Sequence, residues 1–202
     1  MTALGAAHPS LQSWRNPGCV SLLNRSDSPR QHHLECLMSA VADIRRATVS
    51  EAAGLTDLAL RSKAQWGYDA AFMTACVEEM TVRPEHIRTG EVWVVGGRTG
   101  PIGMYELVID PDGEPAGTCQ VRMFFIEPDR IGTGLGRRLW SHLEARARAL
   151  GLTAIAVDSD PNAEGFYRKM GCQRVGEAPS GSVPGRMLPY LRLDMTEVGV
   201  RT

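Results

Sequence analysis

The sequence predicts one mixed α/β (α+β) domain in which a β-sheet packs against helices. Three observations support this fold class. Three strand-forming runs follow one another across two short turns, a long amphipathic helix comes directly after them, and the chain then alternates between strand-like and helix-like segments. Strands joined by tight turns pair antiparallel, and a helix with one apolar stripe must bury that stripe against another element.

The first elements are a short strand, Ile44–Thr48, and two helices, Ser50–Trp66 and Tyr68–Met80. Apolar residues recur in both helical segments at steps of three or four, which is the spacing of one helix face. Ser50 together with Glu51 is the expected N-terminal cap of the first helix. We expect the sheet to follow this helical pair.

Gly67 interrupts the helical pattern, and an aromatic residue stands on either side of it. Trp66 and Tyr68 are large enough to anchor a core or to form the wall of a cleft. We predict that they pack in the core or in a lid, and not that they contact a ligand directly.

The sheet itself begins with a predicted antiparallel meander of three strands. Turn-forming Gly, Pro and Asp residues join Val92–Gly96, Ile102–Ile109 and Thr118–Ile126. The amphipathic helix Leu135–Leu150 follows, with Gly151 as its C-terminal cap. The remaining predicted elements are the strand Thr153–Val157, the helix Asn162–Met170 and the strands Cys172–Glu177 and Met187–Asp194.

Composition excludes several classes of protein. The net charge is −1, from 22 basic and 23 acidic residues, so nothing indicates binding to nucleic acid or to an anionic membrane. No apolar run is long enough for a membrane helix, and the N-terminus lacks the regions of a signal peptide, so we predict a cytoplasmic protein. Residues 1–37 contain three Pro residues and scattered Ser, Asn and His without a sustained period, and they are predicted to be a poorly ordered tail before a domain at 38–202.

The cysteines and histidines indicate neither a disulfide framework nor a metal site. The five cysteines are odd in number, widely spaced and never form a C-x-x-C pair, and the histidines lack metal-ligand spacing. We therefore expect buried reduced thiols and no metal. The cysteines are Cys19, Cys36, Cys76, Cys119 and Cys172.

A glycine-rich turn between Ile126 and Trp140 carries the strongest functional signal. Gly132, Gly134 and Gly136 can adopt backbone angles that let successive N–H groups converge, and the helix behind them adds positive potential at its N-terminus. A diphosphate fits such a turn without a lysine. The dinucleotide fingerprint G-x-G-x-x-G fails because residue 137 is Arg, and the Gly-Lys-Ser/Thr of a P-loop is absent.

A second motif lies downstream, where Asn162 opens a helix that carries Phe166 and Tyr167. The two motifs together resemble the GNAT superfamily of acetyl-CoA-dependent N-acetyltransferases. The resemblance extends over Ile44–Met195 and is strongest over Phe125–Gly171. It implies a central mixed sheet flanked by helices, acetyl-CoA as co-substrate and an amine acceptor, which is a small molecule or a peptide.

The resemblance also implies a role for individual residues. The pantetheine arm would pair with the strand that ends at Phe125 and Ile126, and Asn162 would face that arm. Tyr167 matches the tyrosine near the thioester sulfur and would protonate the leaving thiolate; its alternative is a buried core tyrosine. The segment expected to hold the pyrophosphate comprises Ile131, Gly132, Thr133, Gly134, Leu135, Gly136 and Arg137.

Two features of the implied site depart from the family or stay open. The family usually has Arg or Gln where this chain has Ile131, so pyrophosphate binding would depend on backbone donors. Glu127 is the first candidate for the general base, with an exposed strand-end carboxylate as its alternative. Glu106 is the second candidate, and an ordered water is the third. Arg186 is expected to cap its own loop or, alternatively, to meet a carboxylate of the substrate.

Three functions are compatible with these patterns. The first is an active amine acetyltransferase, the second a non-catalytic acyl-CoA-binding module or sensor, and the third a nucleotide-dependent oxidoreductase, which Arg137 disfavours. The identity of the acceptor does not follow from the fold. Relatives often form homodimers through their last strands, and the resemblance allows a homodimer here without requiring one.

Overall fold

The structure, a computed structural model, describes residues 43–97 and 100–196. The tail predicted for residues 1–37 lies outside the described residues, as do Cys19 and Cys36. Seven strands form one sheet in the order β1-β2-β3-β4-β5-β7-β6. They are β1 (Ile44–Arg46), β2 (Glu91–Gly97), β3 (Gly100–Ile109), β4 (Thr118–Ile126), β5 (Ala154–Asp158), β6 (Gln173–Pro179) and β7 (Met187–Asp194).

Five α-helices flank this sheet in the described part of the chain. They are α1 (Ala52–Ala64), α2 (Ala70–Cys76), α3 (Pro84–Thr89), α4 (Leu135–Ala149) and α5 (Glu164–Lys169). The predicted mixed α/β (α+β) fold is therefore confirmed, and so is the antiparallel meander β2-β3-β4. Helix α3 was not among the predicted elements, although Pro84 in its first turn is a common start signal.

The sheet forks between β4 and β5, which are its one parallel pair among the described strands. Three residue pairs join them, and the last is Gln120↔Ala156. A bulge follows at once, because Glu106 of β3 pairs with Met123 while Leu107 pairs with Val121. A bulge bends its strand and increases the local twist. The last residues of β4 therefore turn one edge away from β5, and that edge is open.

Each face of the sheet carries its own hydrophobic core. The core under α4 contains Leu139, Trp140 and Leu143, all at most 1% exposed, because the apolar stripe of α4 recurs every three or four residues. The opposite core is built on Leu55 and Leu58 of α1. Sequestering these large side chains from water stabilises the sheet that holds the fork.

The first helical segment begins differently from the prediction. Thr48, and not Ser50, is the N-cap: the Glu51 carboxylate accepts the Thr48 backbone N–H at 2.8 Å, and the two residues form a capping box. A short 3-10 turn, Val49–Glu51, leads into α1. The second predicted helix is shorter than expected, because α2 ends at Cys76 and turns follow it.

Two further findings concern cysteines and membranes. The described cysteines Cys76, Cys119 and Cys172 are free and buried, as expected for reduced thiols. Among the described residues, no helix has the length and apolar character that a membrane crossing requires.

Candidate functional site

The glycine-rich loop forms a set of backbone donors at the start of α4. Gly132 and Gly134 have φ angles of +83° and +90°, in the left-handed region that favours glycine. A Cβ atom at either position would meet nothing within 4 Å, so both backbones face open space. The first bond of α4 runs from Arg138 N to Gly134 O at 3.1 Å, which leaves the earlier first-turn N–H groups available to a ligand.

Gly136 lies where the first turn of α4 packs closely against its neighbours. A Cβ atom there would lie 2.9 Å from Ile126 Cδ1 and 3.2 Å from Phe166 Cε2. The absence of a side chain thus lets the first turn of α4 approach both the end of β4 and α5. This contact brings the loop donors beside the open strand edge.

A cleft of about 420 Å³ joins the open edge of β4, the glycine-rich loop and α5. Eight of the ten residues predicted to bind the cofactor line this cleft: Phe125, Ile126, Ile131, Gly132, Gly134, Gly136, Arg137 and Asn162. Thr133 and Leu135 do not line it. The Thr133 hydroxyl instead donates to Arg130 O at 2.7 Å, and Leu135 packs against the core.

Tyr167 lies where this cleft meets a second cavity of about 90 Å³, and it lines both. Its side chain is 6% exposed, and its ring packs edge-on against Trp140, with centroids 5.5 Å apart, and against Phe166 at 5.2 Å. Burial raises the pKa of the Tyr167 hydroxyl well above its ordinary value. The hydroxyl is protonated at neutral pH with or without this shift, so it has a proton to donate.

Glu127 does not occupy the place that its sequence position suggests. Its carboxylate forms an ion pair with Arg61 of α1, and Glu127 lines neither cavity. The chain turns at Glu127 into the 3-10 helix Pro128–Arg130, which directs this side chain toward α1. Glu127 as the general base therefore stays a prediction, and its carboxylate is paired with a cation outside both cavities.

Glu106, the second candidate base, is also outside both cavities. It is 3% exposed and accepts from Arg122 Nη1 at 2.9 Å, while its Oε2 atom has no hydrogen-bond partner among the described residues. Burial raises the pKa of this carboxyl, with Arg122 opposing the shift. His86 of α3 lies beside it, with Nδ1 3.5 Å from Glu106 Oε1.

A polar cluster around Asp160 connects four segments of the site, and the sequence analysis missed it. Asp160 accepts from Lys63 Nζ at 2.6 Å, from the Tyr68 hydroxyl at 2.8 Å and from Asn162 Nδ2 at 3.0 Å. Arg186 donates to the Tyr68 hydroxyl at 2.9 Å. Lys63 and Asp160 are 97 positions apart, so no local sequence pattern relates them.

Trp66, Tyr68 and Arg186 surround the cleft and the polar cluster. Trp66 is 40% exposed and lines the cleft, so it does not lie in the core, and its packing in a lid stays a prediction. Tyr68 stacks on Phe72 with centroids 4.0 Å apart and takes part in the polar cluster. The Arg186 guanidinium contacts Tyr68 and Asp160 instead of its own loop, and it lies 4.7 Å from the centroid of the Phe72 ring.

Nothing in the described residues forms a metal site, as no group of three or more His, Cys, Asp or Glu side chains is suitably placed. The cleft has backbone donors at one end and an open strand edge along it, an arrangement suited to an anionic, extended ligand. The acetyltransferase (GNAT) family model matches residues 57–172. This match covers more than half of the chain, and the chain belongs to the GNAT acetyltransferase family.

Individual relatives agree with the family assignment. An IAA acetyltransferase from Azospirillum brasilense is 32% identical over 83 residues, which cover 39% of this chain and 52% of that protein. The chain thus spans about half the length of this curated relative.

Solved structures show the same fold at low identity. The PaiA N-acetyltransferase of Thermoplasma acidophilum, in complex with coenzyme A, has a TM-score of 0.62 at 16% identity and covers 75% of this chain and 98% of its own. The protein yncA of Salmonella typhimurium, solved with acetyl-CoA, has a TM-score of 0.55 at 19% identity, covering 77% of this chain and 95% of its own.

Proposed function

We propose that this protein is an N-acetyltransferase that moves the acetyl group of acetyl-CoA onto a primary amine by direct attack on the thioester. The observation that carries the proposal is that the loop donors, the open edge of β4 and Tyr167 line one cleft. Family membership supports acetyl-CoA as the co-substrate. The identity of the acceptor is a separate question, since the fold does not determine it.

The residues of the cleft fit the parts of acetyl-CoA in order. The pyrophosphate would lie on the backbone N–H groups of Gly132–Arg137, where the helix dipole favours an anion. The pantetheine arm would pair with the open edge of β4 as an added strand does. Asn162 Nδ2 already donates to Asp160, so its side-chain carbonyl is the group left to accept an N–H of that arm.

The arrangement supplies the requirements of acetyl transfer. The amine nitrogen attacks the thioester carbonyl, and the oxyanion that develops needs preorganised donors, which the backbone N–H groups at the end of β4 can provide. Tyr167, which lines the cleft and is protonated at neutral pH, would give its proton to the departing thiolate. Transfer within one cleft also places the reacting groups in a fixed orientation.

One observation favours a second candidate, a non-catalytic acyl-CoA-binding module or sensor. Ile131, at the position where the family usually has Arg or Gln, is 45% exposed and has no side-chain donor. Such a protein would bind acetyl-CoA and release no thiol.

The test is thiol release from acetyl-CoA with a panel of primary amines, together with the mass of the product. Formation of an N-acetylated amine supports the enzyme. Binding of acetyl-CoA by calorimetry without any acetylated product would support the binding module and overturn the proposed function.

A further inference from the structure

The second cavity lies at the fork, on the side of β4 that faces α1 and α2. It has a volume of about 90 Å³, and it shares Phe124, Phe125 and Tyr167 with the larger cleft. A group bound there would meet the thioester at the shared wall. This inference rests on the proposed function and concerns the acceptor and the base.

Six of the residues that line the smaller cavity are charged, and four of the six are paired with an opposite charge. Asp160 is paired with Lys63 at 2.6 Å and lies 3.5 Å from Arg186, and Arg122 is paired with Glu106 at 2.9 Å. Glu79 lies at the exposed rim. With Asp158, the charged side chains that line the cavity are three cations and three carboxylates. Because the cations are engaged by Asp160 and Glu106, Asp158 and Glu79 are the carboxylates left to attract a cationic ligand.

Asp158 differs from the other carboxylates in its partner. It is the last residue of β5, two positions beyond the final pair with β4, and it lies where the two strands diverge. Its Oδ2 accepts from Gln120 Nε2 at 2.7 Å, and Gln120 is neutral. Asp158 is therefore a half-buried carboxylate in the cavity without a cation among its recorded hydrogen-bond partners.

We propose that the smaller cavity binds the ammonium group of a small primary amine and that Asp158 is the general base that deprotonates it. Of the carboxylates considered, Asp158 combines a place in this cavity with a neutral partner, whereas Glu127 and Glu106 lie outside it. The site thus takes a compact alkylammonium head group next to the thioester.

The proposed step balances its protons and electrons. One proton passes from the ammonium to the Asp158 carboxylate, and the freed nitrogen lone pair forms the N–C bond to the acetyl carbon. The C–S bond breaks, and its electron pair leaves with the thiolate, which takes the proton of Tyr167. The acetylated nitrogen then loses a second proton, which passes through solvent to the Tyr167 phenolate. Asp158 releases the first proton to solvent.

The surroundings of Asp158 raise the pKa of its carboxyl, which favours the role of a general base. Burial raises the pKa of the Asp158 carboxyl, the negative charge of Glu114 raises it further, and the hydrogen bond from Gln120 opposes both. A base whose pKa lies closer to the working pH transfers protons more effectively. The other titratable or charged groups around it are Tyr190 and Arg192 of β7, both bonded to Glu114, and Lys63, Glu79, Arg122, Asp160, Tyr167 and Arg186 of the cavity wall.

The test compares Asp158→Asn with the wild-type full chain on ethanolamine, tyramine, L-lysine amide and spermidine between pH 6 and pH 10. We expect kcat/KM at pH 7 to fall about 100-fold, since a general base contributes about 10²–10⁴-fold. The Kd for acetyl-CoA should stay within about threefold, because Asp158 does not line the larger cleft. Asp112→Asn, the same change at an exposed turn residue, is the matched control and should leave kcat/KM unaltered.

The pH profile separates a base from a merely structural residue. The ratio of wild-type to variant rate should shrink as the pH approaches the amine pKa of about 10, where the acceptor is already neutral. A loss that is constant with pH would overturn the inference, as would a variant that keeps more than a third of wild-type kcat/KM. A loss in Glu127→Gln with Asp158→Asn unaffected would move the base to Glu127.

A second variant keeps the inference testable if Asp158→Asn does not fold. Gln120→Leu removes the donor that lowers the pKa of Asp158, so the acidic limb of the pH profile should move to higher pH. An unmoved limb would contradict the role of Asp158. Wild-type protein that binds acetyl-CoA but acetylates none of the amines would instead overturn the proposed function itself, and the inference with it.

Discussion

Replacing Asp160 by Asn should destabilise the protein, because it leaves the Lys63 ammonium buried without its counter-ion. Each of these side chains is 10% exposed, and Nζ and Oδ2 are 2.6 Å apart. Removing one member of a buried ion pair costs about 3–5 kcal/mol. Because the pair borders a cavity, we expect the lower end, about 3 kcal/mol in the free energy of unfolding, or roughly 6–12 °C in Tm for a domain of this size.

The measurement is urea unfolding at pH 7, with Glu85→Gln as control. Glu85 forms an exposed pair with Arg88 at 3.8 Å, and its loss should cost less than about 0.5 kcal/mol. Adding Lys63→Met to Asp160→Asn should recover part of the stability, because the unpaired ammonium is then gone. A cost below about 1 kcal/mol for Asp160→Asn would refute the reasoning that the pair is desolvated.

The same carboxylate gives this prediction a pH dependence. Burial alone would raise the pKa of Asp160, but the hydrogen bonds from Lys63, the Asn162 N–H and Tyr68, with the Lys63 charge, bring it below its ordinary value. A carboxyl with a lowered pKa in the folded state adds stability above its unfolded pKa of about 3.9 and loses it as the pH falls through the folded value. The stability difference between wild type and Asp160→Asn should therefore diminish below about pH 4.

Three further predictions concern the cofactor loop and the distal ion pairs. Gly134→Val should raise the Kd for acetyl-CoA, measured by calorimetry, at least tenfold. The control Gly113→Val changes another left-handed turn glycine (φ +84°) that lies away from the cleft, and it should leave this Kd unaltered. Equal effects of the two changes would show that the loop is not part of the acetyl-CoA site. Ile131→Arg should tighten acetyl-CoA binding by about fivefold at low salt and less at high salt, and no change would show that the pyrophosphate lies elsewhere. Glu91→Gln should lower the free energy of unfolding by about 2 kcal/mol at pH 7, because the hydrogen bonds from Arg146 lower the pKa of Glu91 to about 2. This stabilisation is full above pH 4.5 and is lost toward pH 2. Urea midpoints of wild type and variant that differ equally at pH 7 and pH 2 would contradict the prediction.

The sequence was most informative where a pattern is local. The bounds of β4 and β7 agree with the predicted Thr118–Ile126 and Met187–Asp194, and α4 ends within one residue of its prediction. The glycine-rich loop was recognisable because its donors come from consecutive residues. Eight predicted cofactor residues therefore share one cleft.

The sequence was least informative where tertiary contacts decide a side chain's environment. Glu127 directly follows the cofactor strand, yet its carboxylate pairs with Arg61, 66 positions earlier. Trp66 has a large apolar side chain of the kind found in cores, but it lies at the end of a helix, where it is 40% exposed. Asp158 carried no signal, because its role depends on the bulge that opens the fork and on a contact with Gln120, 38 positions away.

The most direct test of acetyl transfer in this cleft is kcat for Tyr167→Phe, measured with the Kd for acetyl-CoA. If Tyr167 protonates the leaving thiolate, kcat should fall about 100-fold or more while the Kd changes less than about threefold. Tyr105→Phe is the matched control, because this tyrosine is also buried but bonds His142 at 2.8 Å and lines neither cavity. A Tyr167→Phe protein that acetylates amines at the wild-type rate would contradict the account.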